Sequence, residues 1–124
     1  MKIRFFICNH CGNIIAMVKD SGISIQCCGE EMEEIIPGTS DGAQEKHVPV
    51  YNVNGETVTV SVGAAEHPMT SEHYIEWVCV ESEEGLQFKK LNSDASPRVS
   101  FSLSKGDKVK AVYAFCNLHS LWKA

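Results

Sequence analysis

Nine side chains with metal-binding chemistry fall into two groups along this chain. Cys8, Cys11, Cys27 and Cys28 crowd its first quarter, and His47, His67, His73, Cys116 and His119 are spread over the rest. Four thiolates favour a closed tetrahedral site for zinc or iron, of the kind that holds structure or passes electrons. Four imidazoles with one thiolate suit the binding and reduction of a small ligand. Two different centres are therefore expected. In the first, the adjacency of Cys27 and Cys28 is unusual, because two neighbouring residues must aim both sulfurs at one ion. A distorted tetrahedron follows, and the donor set alone leaves zinc and iron open.

The second group rests on local pieces. Cys116-Asn117-Leu118-His119 puts a thiolate and an imidazole three residues apart, so one turn of chain can chelate a single ion. His67 precedes Pro68, which biases it toward extended backbone. His73 is expected to open a strand and His47 to end a linker, so all four histidines sit at element boundaries, where a rigid scaffold gathers distant side chains. His10, inside the first knuckle, reads as a solvent-facing loop residue. Cys79, in the middle of Trp77-Val78-Cys79-Val80, reads as a small buried hydrophobe.

The elements that must position these groups are short strands. Lys2–Ile7 and Asn13–Val18 flank the Cys8–Gly12 knuckle, and Gly12 and Gly29 each follow a cysteine where a knuckle needs positive φ. Residues 1–36 form one module, too small for an ordinary core and in need of a metal. Residues 37–46, opened by Pro37-Gly38-Thr39-Ser40-Asp41-Gly42, read as a linker. From residue 47 to 124 the pattern has period two. Strands are expected at Val48–Val53, Glu56–Val62, His73–Glu81, Leu86–Lys90, Arg98–Leu103 and Lys108–Phe115, with a hairpin at Asn54-Gly55 and no convincing helix. The fold class is all-β: a metal knuckle module followed by an immunoglobulin-like antiparallel sandwich.

Composition narrows the function. The first residues carry no long apolar run or small-residue cleavage site, and no apolar stretch approaches membrane-spanning length. A cytoplasmic setting is expected, where thiols stay reduced and metal ligation outweighs a disulfide framework. The net charge of −5 over 124 residues, without a dense basic block, argues against nucleic-acid binding.

Taken in order, Cys8-x-x-Cys11 with Cys27-Cys28, Glu45-Lys46-His47-Val48-Pro49, His67-Pro68-Met69, His73-Tyr74-Ile75-Glu76-Trp77 and Cys116-Asn117-Leu118-His119 resemble desulfoferrodoxin, the two-iron class of superoxide reductase. The resemblance spans nearly the whole chain. It implies a desulforedoxin-like module holding Fe(Cys)4 through Cys8, Cys11, Cys27 and Cys28. It likewise implies a catalytic Fe(His)4(Cys) centre, with His47, His67, His73 and His119 in the equatorial plane and Cys116 axial. Glu45 is implied as the carboxylate that closes the sixth position after oxidation, and Lys46 as the cation beside the substrate. Where the family commonly has glycine after the last histidine, this chain has Ser120.

The implied activity is reduction of superoxide to hydrogen peroxide, with a rubredoxin-like electron donor and a homodimeric assembly. Its chemistry is sound. A ferrous ion with neutral imidazoles and one thiolate keeps a net positive charge that attracts a small anion, and the thiolate pushes electron density toward the open position. Two other readings compete: an electron-transfer protein with a saturated, non-catalytic second metal site, and a zinc-stabilised interaction module.

Overall fold

The computed structural model describes residues 3–124. The chain divides into two compact units, Met1–Ile36 and Pro37–Ala124, and almost all regular structure in both is antiparallel β.

In the first unit, β1 (Phe5–Ile7) is the centre of a three-stranded sheet between β2 (Ile14–Ala16) and β5 (Glu33–Ile35). A separate hairpin joins β3 (Gln26–Cys27) to β4 (Glu30–Glu31). The expected strand from Lys2 is therefore shorter, and Lys2 itself lies outside the described residues. The strands β3, β4 and β5 escaped the sequence reading because these two- and three-residue segments are too short and polar to show apolar alternation. Buried apolar side chains described here are few: Phe5, Cys8, Met32 and Ile35.

The second unit begins with a stretch expected to be a linker. Instead it belongs to this unit, and Gln44–His47 forms a single helical turn, α1. The turn closes locally through Val48 N–H on Gln44 O at 2.9 Å and is held by one tertiary contact, Ala65 N–H donating to Glu45 O at 2.7 Å. Four residues carry too little apolar periodicity to announce a helix, which explains why none was expected.

Beyond α1 lies a seven-stranded sandwich of the immunoglobulin-like kind. One sheet has the order β10 (Arg98–Ser102), β7 (Thr57–Val62), β6 (Pro49–Asn54). The other has the order β12 (Ser120–Lys123), β11 (Val109–Cys116), β8 (Ile75–Ser82), β9 (Leu86–Lys90). Alternation does what it should: Val58, Val60 and Val62 from one sheet pack with Ile75, Val78, Val80, Val112 and Ala114 from the other in a continuous core. Strand β12, missed in the sequence, is a short return strand whose pairing places Ser120 beside Cys116. Cys79 is fully buried, and burial pushes its thiol up to about 12, as a structural cysteine requires.

Candidate metal centres

The first centre is built by two tight turns. Gly12 N–H donates to Cys8 O and Cys8 N–H to Asn13 O, each at 2.9 Å, closing the knuckle that carries Cys8 and Cys11. The second turn resolves the problem of adjacent ligands. Along a strand, consecutive side chains point to opposite faces, so Cys27 and Cys28 in extended backbone would diverge. Cys28 instead has φ 53° and Gly29 φ 77°, the positive pair of a two-residue hairpin turn between β3 and β4. Cys28 thus occupies a left-handed position normally given to Gly, Asn or Asp, and this reversal brings both sulfurs to one point.

The four sulfurs lie within 4.8 Å of one another, with Cys11 Sγ and Cys27 Sγ 3.7 Å apart. That separation is far from a disulfide and close to the roughly 3.8 Å edge of a tetrahedron with metal–sulfur bonds of about 2.3 Å. All six cysteines are free. Backbone N–H groups of Cys11 and His10 draw the Cys8 thiol down to about 6, while its sulfur neighbours push Cys28 up to about 12. Four crowded thiols cannot all ionise without a cation among them, so the donor set fits a thiophilic metal. Asn13 Nδ2 donates to Cys27 Sγ at 3.7 Å. His10 pairs with Glu30 at 3.1 Å and remains exposed, as expected of a loop residue.

The second centre gathers residues 72 positions apart. His47 ends α1, His67 follows the turn after β7, His73 lies in the loop just before β8, and Cys116 and His119 flank the turn between β11 and β12. Neighbouring ring centroids are 4.6 Å apart for His47–His67, 4.6 Å for His67–His73, 5.1 Å for His73–His119 and 4.8 Å for His119–His47. The His47–His73 diagonal is 6.3 Å. Four imidazoles therefore form a square, each steeply inclined to its neighbours. His47 Nε2 is 3.2 Å from His67 Nε2 and 3.1 Å from His119 Nδ1. Cys116 Sγ is 3.8 Å from His119 Nδ1.

Outer hydrogen bonds orient these rings. His47 Nδ1–H donates to Ala43 O at 2.7 Å, and His67 Nδ1–H to Pro68 O at 2.6 Å. Each bond leaves a bare Nε2 facing the square, which is how a ligating histidine is normally held. His73 is held through its neighbours. The Asn117 amide accepts from Tyr74 N–H and donates to Glu72 O, both at 2.9 Å, while Thr70 Oγ1 accepts from His73 N–H at 3.1 Å. His73 Nε2 itself is buried with no hydrogen-bond partner. A bare buried nitrogen costs about 1–3 kcal/mol unless something binds it, and an ion held by the square would do so.

The electrostatics agree. Burial lowers His47, His67 and His73, with His67 pushed down to about 4, so the rings stay neutral and their lone pairs free. Lys46 adds to the lowering of both His47 and His73, which places its charge close to the square. Burial raises the Cys116 thiol, whereas the N–H groups of Leu118 and His119 favour its thiolate. Glu45 and Lys46 are both exposed on α1. The ligand atoms of Cys8, Cys11, Cys27 and Cys28 form one cluster and those of His47, His67, His73 and Cys116 another, each within 4.8 Å, and His119 borders the second through its Nδ1, 3.1 Å from His47 Nε2. Sequence reasoning assigned no role to Asn117, Gly42 or Trp122, which brace the second cluster. Asn117 stood inside the Cys-x-x-His segment, and Trp122 three residues past His119, without any pattern to mark them.

Comparison with known proteins came out consistently. The family described as Desulfoferrodoxin matches residues 39–124. The desulfoferrodoxin of Nitratidesulfovibrio vulgaris is 44% identical over 124 residues, covering 99% of this chain and 96% of that protein. That of Clostridium acetobutylicum is 42% identical over 123 residues, covering 98% and 95%. Among solved structures, the superoxide reductase from Treponema pallidum matches with a TM-score of 0.85 and 41% identity, over 100% of this chain and 99% of that one.

Proposed function

This chain belongs to the desulfoferrodoxin family, and we propose that it is a superoxide reductase, adding one electron and two protons to superoxide to give hydrogen peroxide without releasing oxygen. The observation that carries the reading is the square of four imidazoles with the buried Cys116 sulfur beside it. The donor sets fit two irons of unlike chemistry, Fe(Cys)4 on Cys8, Cys11, Cys27 and Cys28, and Fe(His)4(Cys) on His47, His67, His73, His119 and Cys116. Iron held by these residues would supply the single electron that superoxide accepts.

The protein's own groups do the rest. Cys116 belongs to the sandwich core, so its sulfur would hold the metal from the core and the opposite side would be left to the substrate. Lys46, exposed next to His47, draws the anion in and favours negative charge at the reacting end. Glu45 is the carboxylate we assign to cover that side once the electron has been given. Protons come from water. Electrons would return from a small rubredoxin-like donor, and we assign a homodimer in a reducing cytoplasm, where the free cysteines stay available for metal.

Pulse radiolysis of the two-iron protein tests this reading. Superoxide should disappear with peroxide as sole product, and Cys116→Ser should abolish the reaction, since a hydroxyl is a poor ligand and donor at neutral pH. Cys79→Ser should cost stability only, because its thiol is buried in the sheet. An iron-loaded protein inert to superoxide would return the chain to the electron-carrier reading.

A further inference from the structure

Trp122 is buried, lies on β12 and touches two of the candidate ligands at once. Its ring stacks on the His47 imidazole with centroids 4.9 Å apart and planes inclined by 30°. Its Nε1–H donates to the His119 carbonyl at 2.9 Å. His47 and His119 come from distant parts of the chain, yet their ligating nitrogens stand 3.1 Å apart. The fourth member of this packing is Gly42. A Cβ there would lie 3.1 Å from Trp122 Cζ2, 3.2 Å from His47 Cε1 and 3.3 Å from His119 Cβ, so a methyl would press on all three side chains and move them by a few tenths of an ångström.

We propose that Trp122 is a positioning residue for the histidine–cysteine centre: its ring sets the plane of His47 and its N–H holds the His119 peptide, bringing both imidazole nitrogens to one ion. The hydrogen bond matters because of the next residue. Ser120 has φ 64°, a left-handed conformation that a residue with a Cβ adopts less readily than glycine. The orientation of the His119–Ser120 peptide is coupled to that φ, so a donor fixed on its carbonyl holds the turn in place. The inference rests on the cluster being a metal site and not on superoxide being its substrate.

Titration of the metal-free, full-length protein with Co2+ alone reads the two centres separately by their absorption. Trp122→Phe keeps an aromatic face over His47 and removes the donor; Gly42→Ala keeps the donor and presses a methyl against Trp122, His47 and His119. Each should lower cobalt affinity at the histidine–cysteine centre by about 10- to 100-fold and alter its spectrum, with the four-cysteine centre unchanged. In a Ser120→Gly background the loss from Trp122→Phe should shrink, since glycine adopts the left-handed turn without help. A Trp122→Phe protein with wild-type cobalt affinity and spectrum would overturn the proposal, as would equal losses at both centres. If Trp122→Phe does not fold, Gly42→Ala decides on the same readout: unaltered affinity and spectrum would sink it.

Discussion

The two units solve the same problem, converging several ligands on one point, by opposite means. In the first unit all four sulfurs come from two turns within about twenty residues, and Cys11 and Cys28 are exposed. In the second, the ligands come from α1, two loops and the β11–β12 hairpin, and His47, His67 and Cys116 are 3% exposed or less. Local turns are cheap to specify but leave little buried apolar surface, so the ion becomes part of the fold. A sandwich holds its loops rigidly without the ion, so the site can be preorganised and still leave one side for a substrate. The contrast fits a structural role for the first centre and the reactivity we propose for the second.

The sharpest way to break this comparison is Cys28→Ser. Structural metal in small thiolate modules is worth about 10–16 kcal/mol, more than such a module's core supplies. The variant should lose the first metal, and its first unit should become sensitive to protease, whereas the second unit keeps its metal and its reaction with superoxide. Loss of both metals together would show that the units are not independent in the way described.

A smaller effect distinguishes the units by acid, in the metal-free protein. His67 has a folded pKa of about 4 against 6.5 unfolded. Between those values the unfolded chain binds more protons, so stability falls as pH drops from about 6.5 to about 4 and is fully present above that window. The gap corresponds to about 3 kcal/mol at 1.36 kcal/mol per pH unit. Denaturant titrations from pH 8 to pH 4 should show this loss in the second unit, and His67→Gln should flatten it. A pH-independent midpoint would mean that the histidine square is open to solvent when empty.

The smallest expected effect concerns Lys46. Its charge already depresses His47 and His73. Lys46→Ala should slow the second-order reaction with superoxide by about tenfold, the lower end of electrostatic steering, and weaken its dependence on ionic strength. Metal content should not change. A rate and salt slope equal to wild type would make Lys46 an ordinary solvated lysine.

Much of this was legible in residue types and spacing. Cys8-x-x-Cys11, the Cys27-Cys28 pair and the Cys116-x-x-His119 segment announce metal chemistry because soft and borderline donors at short spacing have few other uses. The alternation of Val58, Val60 and Val62 announces half-buried strands because side chains in a strand take turns at the two faces. Those signals are local, and local physics carries them. What only the tertiary structure decided is non-local. The helical turn Gln44–His47 closes locally but is held where Ala65 meets Glu45, and β12 forms because β11 offers it an edge. The left-handed backbone of Cys28 and Ser120 follows from hairpin closure, which no residue preference would have suggested for a cysteine or a serine. Above all, the square of His47, His67, His73 and His119, and the bracing of it by Asn117, Trp122 and Gly42, arise where the rim of the sandwich folds distant loops together. A distance of a few ångströms between residues seventy positions apart depends on the register and packing of every strand between them, and no short stretch of sequence contains it.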